Sequence, residues 1–375
     1  FDEGITNHQK AIKLNPNYAE AYSNLGIALG ELGKFDEGIT NHQKAIKLNP
    51  NYKKAILNES FLRLATGDFK LGWEMHEKRL GNLNNTPLRY EEKKIWGGEY
   101  LDGTLLIWAE QGLGDHIIFG SMLNDVKKYA KKIVLEIDKR LISLFKRYFE
   151  KENFSNIEII ALDKKKLFDN FDKHIAIGSL GKYFRNSKQS FSNTPKRYLI
   201  ASKSLENEVK KNFYEKNKFK IGISWKTLNK KQQYRNINLE QMLPILSNKN
   251  CSFINLQFGD TEKDLKFFKG KYNIQIQSIK NIDNFNDIDS LAALINCLDL
   301  VVTIQNTTAH LSGALGKKTW VMLNKNARWH WLENDKKSLW YPSLKLFRQE
   351  NYGNWNNVIN DISIELKSII KSTLN

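Results

Sequence analysis

Cysteine is almost absent from this chain of 375 residues, which contains only Cys251 and Cys297. Two thiols in separate apolar stretches cannot form a disulfide framework, so we expect buried free thiols and a reducing, cytoplasmic setting. Long apolar runs are also missing, since the longest, near LAALINCLDLVV, is interrupted by Asn296 and Asp299. A membrane-spanning helix needs about 20 consecutive apolar residues, so the sequence predicts no transmembrane segment.

Short signatures of metal and nucleic-acid binding are missing as well. No HExxH motif, CxxC pair or DxD motif occurs at a suitable spacing, so we expect no metal-dependent mechanism and no bound cofactor. The formal net charge is +17, but the basic residues are scattered among Asn and Ile. This scatter indicates solvated surfaces rather than a nucleic-acid interface, and leaves a few cations for a nucleotide or another anionic ligand.

The most informative feature that the chain does contain is an internal duplication. Residues 1–18, FDEGITNHQKAIKLNPNY, recur unchanged at 35–52, which gives a period of 34 residues. This period is typical of tetratricopeptide repeats, which are pairs of packed helices. We interpret AEAYSNLGIALGELGK as helix A, FDEGITNHQKAIKLNP as helix B, and 52–80 as a third, diverged copy. The sequence therefore predicts an α-helical repeat domain over 1–82, which begins inside a longer array and leaves one apolar face uncovered.

Strands and helices alternate after a polar linker over 81–103. TLLIWAEQGLGDHIIFGSMLNDVKKYA contains an apolar strand, a glycine turn and a helix, and KIVLEID begins the next such unit. A polar connector near 195–208 precedes a second series, which starts with KIGISW. Alternation of this kind predicts parallel sheets that helices cover on both faces. We predict two Rossmann-like α/β domains, over 83–201 and 202–375, with the terminal helix crossing back to the first.

The first candidate site is the glycine turn GLGD. Ligands of open parallel sheets bind beyond the carboxyl ends of the strands. Gly112 and Gly114 permit a tight turn and a close approach to a ligand at this edge. Asp115 comes where the next helix starts, which indicates either a helix cap or a carboxylate presented at the cleft. Glu110, just before the turn, is interpreted as orienting a ligand hydroxyl or as solvated.

The second candidate site is the loop TIQNTTAH, which enters a helix of the second α/β domain. Asn306, Thr307 and Thr308 offer amide and hydroxyl groups around free backbone N–H groups at the helix start. Such a helix start favours phosphate because the N–H groups and the helix dipole both attract an anion. The loop TIQNTTAH therefore predicts a phosphate site.

Residues that follow the first two strands of the same domain are further candidates. Lys226 and Arg235 belong to a basic loop after KIGISW, which indicates either phosphate contacts or solvated charges. Gln257 and Gly259 follow the next strand, which indicates contact with a base or ribose, or simply a turn.

Five segments, in order, carry a resemblance to a known group of proteins. They are WGGEYLDGTLLIWAEQGLGDHIIF, WKTLNKKQQYRNINLEQM, FINLQFGDTEKDL, TIQNTTAHLSGALGKKTWVML and RWHWLENDKKSLWYPSLKLFRQ. Together they resemble bacterial tetratricopeptide-linked glycosyltransferases of the heptosyltransferase-like (family 9-like) group. The resemblance implies a GT-B fold, in which two Rossmann-like domains face a cleft and the C-terminal one holds most of the nucleotide sugar.

The resemblance also implies roles for individual residues. Asp115 matches a general base that takes the proton of the acceptor hydroxyl, which leads to inversion at the anomeric carbon. Arg235 matches a basic residue that contacts phosphate, and Asn306, Thr307 and His310 match the phosphate loop. The helix start and the cations would then replace a metal ion as stabilisers of the departing diphosphate.

Three features differ from the group or have no role derived from it. Gln305 and Asn306 stand where many relatives have aspartate followed by Thr or Ser, which affects the expected donor preference. His116 stands where a small hydroxyl residue is common. The aromatic cluster of Trp329, Trp331, Trp340 and Tyr341 is interpreted mainly as core packing.

These observations lead to one functional hypothesis and three alternatives. The hypothesis is an inverting, metal-independent glycosyltransferase that moves a sugar from a nucleotide-sugar donor to a protein hydroxyl held by the repeats. Some members of the resembling group act on flagellin, which is therefore one candidate acceptor. The alternatives are a catalytically inactive scaffold, a transferase acting on a glycolipid or lipopolysaccharide, and a dinucleotide enzyme. The last is disfavoured because the first turn reads EQGLGD instead of GxGxxG.

Overall fold

The structure is a computed structural model, and it describes most of the chain. The described residues are 2–81, 88–163, 165–213, 215, 217–227, 229–280 and 282–374. The predicted boundary between residues 82 and 83, and part of the predicted linker, lie outside the described residues.

The first five helices form the repeat region that the period predicts. Each predicted A and B segment is a separate helix, and the copies pack on their neighbours in chain order. Small side chains line the contacts between the helices, and those of Ala45 and Ala55 are completely buried. The helices are α1 (Asp2–Leu14), α2 (Ala19–Glu31), α3 (Phe35–Leu48), α4 (Lys53–Thr66) and α5 (Phe69–His76).

The first α/β unit contains a five-stranded parallel sheet in the order β1-β5-β2-β3-β4. The strands are apolar on both faces because helices cover both sides of the sheet, as the burial of Ile133, Val134 and Leu135 illustrates. The direction in which strands are added reverses between β2 and β5. The elements are β1 (Lys94–Ile95), β2 (Leu101–Trp108), α6 (Leu113–Gly120), α7 (Leu123–Val126), β3 (Ala130–Ile137), α8 (Ile142–Lys151), β4 (Ile157–Ala161), β5 (Lys173–Ala176) and α9 (Gly181–Phe184).

The second α/β unit contains a six-stranded parallel sheet in the order β11-β10-β9-β6-β7-β8. Counted from β6, this is the 3-2-1-4-5-6 order of a Rossmann fold, and the reversal lies between β6 and β9. The elements are α10 (Lys203–Lys211), β6 (Phe219–Ser224), α11 (Leu243–Leu246), β7 (Cys251–Asn255), α12 (Glu262–Tyr272), β8 (Ile276–Gln277), α13 (Ile288–Asn296), β9 (Leu300–Ile304), α14 (Thr307–Ala314), β10 (Thr319–Leu323), β11 (Leu344–Arg348) and α15 (Asn356–Leu374).

The terminal helix corrects one expectation. α15 packs against α11 and β11. Its apolar side chains, including Val358, Ile362 and Leu366, are buried in the core beneath the second sheet. The expected crossover to the first α/β unit is therefore wrong, because the apolar side of this helix covers its own sheet. No helix in the described part of the chain is long and apolar enough to cross a membrane.

The three parts of the molecule are in mutual contact. α6 of the first unit packs against α14 of the second, and a side chain at Gly114 would come within 3.1 Å of the His310 ring. The repeats contact both units. The indole N–H of Trp73 donates to the carbonyl of Arg185 at 2.8 Å, and the N–H of Glu333 donates to the carbonyl of Ala65 at 3.1 Å. The repeats therefore lie against both α/β units.

Candidate functional site

The glycine turn and the predicted phosphate loop meet where the two α/β units face each other. The turn leads from β2 into α6, and the loop leads from β9 into α14. Each follows a strand beside the reversal point of its sheet, which is where open α/β sheets bind ligands. The two turns are brought together because α6 and α14 are in contact.

Asp115 has the first of the two roles between which the sequence left a choice, that of a helix cap. It lies in the first turn of α6, and its Oδ2 accepts a hydrogen bond from the N–H of Gly112 at 3.1 Å. Oδ2 is the only Asp115 carboxylate oxygen with a hydrogen bond from another described residue. Burial raises the pKa of the Asp115 carboxyl above its ordinary value, and the charge of Arg328 opposes this shift. The carboxylate is therefore a stronger base than a solvated aspartate.

Asn306 is the N-cap of α14, and its side chain already satisfies part of the helix start that the sequence analysis assigned to phosphate. Its Oδ1 accepts hydrogen bonds from the N–H groups of Thr308 at 3.0 Å and Ala309 at 3.4 Å. Its Nδ2 donates to Ser224 Oγ at 2.7 Å, which ties the loop to the end of β6. The expectation of free N–H groups is therefore wrong for Thr308, which is buried. Thr307, the first residue of the helix, remains partly exposed at its start.

Arg235 is a buried guanidinium whose charge no described carboxylate neutralises. Nη1 donates to Gln232 Oε1 at 3.0 Å and Nη2 donates to the Tyr234 hydroxyl at 3.2 Å. Its Nε is buried without a partner among the described residues. Burial lowers the pKa of Arg235, and the nearby charge of Arg328 acts in the same direction. A buried cation without a counterion is costly, so this position suits an anionic ligand.

Arg328 is a site residue that the sequence analysis missed. Its side chain is exposed, and its charge acts on Asp115, Arg235 and His310. Gln305 holds the backbone of this residue, because Gln305 Oε1 accepts from the Arg328 N–H at 3.3 Å. The Gln305 Nε2 donates to Asn324 Oδ1, so the side chain is hydrogen-bonded to the loop after β10 and not to the start of α14.

His310 lies between these charges as a neutral ring. It is buried, its Nδ1 is 2.8 Å from the Tyr341 hydroxyl, and it stacks on Trp331 at 5.3 Å. Burial lowers the pKa of His310 to about 3, and the charges of Arg328 and Arg235 contribute to the shift. The imidazole is therefore uncharged near pH 7 in a region of positive potential.

The remaining candidates each have partners within their own α/β unit, and Gln257 also lines a cavity beyond the carboxyl ends of β7 and β8. Lys226 is partly buried and forms an ion pair with Asp264 at 2.5 Å. Gln257 is buried, and its Oε1 accepts from the N–H groups of Trp225 at 3.0 Å and Lys226 at 2.9 Å. These contacts fix the turn after β6. His116 is buried, and its Nδ1 accepts from the N–H of Asp138 at 3.3 Å.

The aromatic cluster of the tail motif is core, as interpreted from the sequence. Trp331, Trp340 and Tyr341 are each 1% exposed or less. Trp329 is partly buried and lies edge-on to Trp73 of the repeats, with ring centroids 5.3 Å apart. The cluster therefore joins the second α/β unit to the repeats.

A cavity of about 400 Å³ opens beyond the carboxyl ends of β7 and β8. The rings of Phe258 and Phe285 stack at its edge with centroids 5.9 Å apart. Polar groups from Asn255, Ser278 and Asn284 also line it. Flat aromatic rings beside polar groups suit a planar heterocycle with hydrogen-bonding edges. No group of three or more His, Cys, Asp or Glu that could hold a metal ion occurs in the described ranges.

Comparison with known proteins identifies the N-terminal region. Models described as "TPR repeat" and "Tetratricopeptide repeat" match residues 1–33 and 19–52. The chain is 29% identical over 323 residues to Protein FlbA of Caulobacter vibrioides, covering 80% of this chain and 52% of FlbA. It thus spans about half the length of the curated relative that it matches.

Two solved structures are similar to most of this chain. One is the ADP-heptose lipopolysaccharide heptosyltransferase II of Escherichia coli, 8% identical, covering 72% of this chain and 100% of that one, with a TM-score of 0.48. The other is a family 9 glycosyl transferase of Veillonella parvula, 9% identical, covering 74% and 100%, with a TM-score of 0.46. In its own topology, this chain joins tetratricopeptide repeats to two facing Rossmann-like units, which is a GT-B-type arrangement.

Proposed function

We propose that this chain is an inverting, metal-independent glycosyltransferase that uses a nucleotide-sugar donor. One observation carries the proposal: Arg235 is a buried guanidinium without a described counterion, and the nearby positive charge of Arg328 acts on both Arg235 and Asp115. A departing nucleoside diphosphate needs positive charge, and an acceptor hydroxyl needs a base. We assign the positive charge to Arg235 and Arg328 of the second unit, and the base to Asp115 of the first.

The reaction follows from this arrangement. The Asp115 carboxylate takes the proton of the acceptor hydroxyl as the hydroxyl oxygen attacks the anomeric carbon. The bond between that carbon and the diphosphate oxygen breaks, and the nucleoside diphosphate leaves toward the second unit. A single displacement inverts the configuration at the anomeric carbon. Arg235, Arg328 and the start of α14 at Thr307 stabilise the charge that develops on the leaving group.

The nucleoside of the donor fits the cavity beyond β7 and β8. This cavity lies next along the sheet from β6, whose end is tied to the α14 cap through Ser224. A base stacked on the exposed face of one of the two rings, Phe258 or Phe285, gains about 1–3 kcal/mol. Gly259 lines the same cavity, and we keep its predicted contact to the base or ribose as part of the proposal.

The acceptor that we propose is a protein bound by the repeats. Tetratricopeptide repeats present an extended surface that suits a peptide, and here they lie against both α/β units. Flagellin remains the candidate that the sequence resemblance offers. A cytoplasmic location and the absence of a cofactor remain part of the same proposal.

Calorimetry with UDP-, GDP-, CMP- and ADP-sugars tests the donor first, because a scaffold without catalysis should bind none of them. Asp115→Asn keeps a hydrogen-bond acceptor for the Gly112 N–H, so it is the matched variant for Asp115→Ala. Both should lose transfer and keep donor binding, and retained transfer would remove the base assignment. If the donor carries a labelled sugar and the label is recovered in lipid rather than in protein, the acceptor is a glycolipid.

A further inference from the structure

The last turn of the repeat region sends a charged side chain into the first α/β unit. Arg79 follows α5 in a short 3-10 helix, and its side chain is completely buried. Its Nε donates to both carboxylate oxygens of Glu110, at 3.0 and 3.1 Å, and Nη2 also donates to Glu110. The guanidinium therefore makes a two-point contact with this carboxylate through Nε and Nη2.

The remaining donors of Arg79 are satisfied as well. Nη2 donates to Ser179 Oγ at 2.9 Å, and Nη1 donates to the His76 carbonyl at 3.2 Å and to Glu77 Oε1 at 2.9 Å. A lysine, with a single point charge, cannot make this set of contacts. The side chain thus joins the end of the repeats to the segment after β5.

Glu110 occupies the reversal point of the first sheet. It follows β2, and its Oε1 accepts from the N–H of Gly178, after β5, at 3.2 Å. A side chain at position 178 would come within 2.7 Å of Glu110 Oε1 and 2.9 Å of Arg79 Nη2, so only glycine allows this approach. Neither sequence interpretation of Glu110 holds, because the carboxylate is buried and paired with an arginine of the repeats.

The glycine turn begins one residue later. Gln111 has a φ of 63°, a left-handed conformation that non-glycine residues rarely adopt. Gly112 then donates to Asp115. Such a strained turn persists only when its surroundings hold it, and Glu110 is the anchored residue at its start.

We propose that Arg79 is a positioning residue for Asp115: the repeats hold the turn that presents the base, so the site is incomplete without them. This inference rests on the proposed function. The geometric requirement is strict, since a misplacement of about 1 Å at a reacting group costs roughly 100-fold in rate. Arg79 makes no proposed contact with the donor, so its loss acts on turnover and not on donor affinity.

Two variants test this role. Arg79→Lys keeps the charge and loses the forked contacts. The double variant Arg79→Met/Glu110→Gln removes both charges together, so it leaves no unpaired carboxylate in the core and retains an acceptor for Gly178. The matched control is Arg63→Lys, because Arg63 also bridges two carboxylates, Glu59 and Asp68, but entirely within the repeats.

We expect both Arg79 variants of the full chain to lower kcat by about 10- to 100-fold, with the donor Kd within about twofold of the parent. The backbone N–H groups of 111–116 should exchange with deuterium faster, while β3 exchanges as before. Arg63→Lys should change none of these quantities. Unchanged kcat and exchange in the Arg79 variants, or a donor affinity that falls as much as kcat, would overturn the inference. If the parent chain itself releases no nucleoside diphosphate, the proposed function fails, and the exchange comparison alone decides the role of Arg79.

Discussion

The replacement of Arg235 by methionine tests the anion site, because it should raise the stability of the free protein and lower its affinity for nucleoside diphosphates. Methionine retains much of the apolar stem and removes the buried guanidinium, which has Gln232 and Tyr234 as partners and no described carboxylate. The desolvation cost of that charge is then lost. We therefore expect the free protein to become more stable by about 1 kcal/mol, which for a chain of 375 residues is a rise of about 1 °C in Tm.

The same replacement should weaken nucleoside diphosphate binding. A hydrogen bond between a guanidinium and a phosphate oxygen is charge-assisted and is worth about 1.5–3 kcal/mol. Its loss corresponds to an affinity about 10- to 150-fold lower. Because a bound ligand raises Tm in proportion to its affinity, saturating diphosphate should then stabilise the variant less than the parent.

The assays are differential scanning fluorimetry and calorimetric titration with UDP, GDP and ADP, on the full chain. Arg63→Met is the matched control, since Arg63 is paired with Glu59 and Asp68 in the repeats. It should lower Tm and leave diphosphate affinity unchanged. An Arg235→Met variant that loses stability and binds diphosphate like the parent would refute the reasoning, because Arg235 would then be an ordinary structural arginine.

Three further predictions concern the base, the nucleoside and the response to pH. Asp115→Asn should lower kcat by about 100- to 10,000-fold; in the parent, the acidic limb of the rate profile should lie above the ordinary aspartate range, because burial raises the pKa of Asp115. Phe258→Ala should weaken the binding of nucleoside diphosphates by about 1–3 kcal/mol. The affinity for pyrophosphate should stay unchanged, and calorimetry can measure both. His42, whose pKa burial lowers to about 4, stabilises the fold above pH 6.5 and loses that contribution as pH falls toward 4. His42→Gln should therefore reduce the stability lost between pH 7 and 5 by about 2 kcal/mol in urea titrations.

The repeats and most strands could be predicted because their signals are local. An exact duplication sets the helical period, and buried strands such as KIVLEID and DLVVTI are continuous apolar runs. α10 was missed because KSLENEVKK carries few apolar residues, of which Val209 is buried. β11 was missed because LKLFR follows an aromatic-rich loop and pairs only with β10, a contact that its own short sequence does not indicate.

The positions of the two turns in the candidate site were predictable because each follows directly from a strand, as at Asp115 and Thr307. The site was not predictable where tertiary contacts decide. Asparagine is common both as a helix cap and as a ligand for phosphate. The local hydrogen bonds of Asn306 make it a helix cap. Glu110 and Arg79 are separated by 31 positions, and only the fold brings them together. Arg328 lies five residues after the end of β10. The sequence analysis considered the cations after β6 but not those after β10, which is why it missed this residue.

The most direct test is the transfer of labelled sugar from nucleotide-sugar donors to protein, measured with the full chain and with Asp115→Asn in lysate from cells that lack the gene. The account predicts release of nucleoside diphosphate with matching label in protein for the parent chain, and loss of both for the variant while donor binding persists. Equal transfer by the two proteins, or no donor binding by the parent chain, would contradict it.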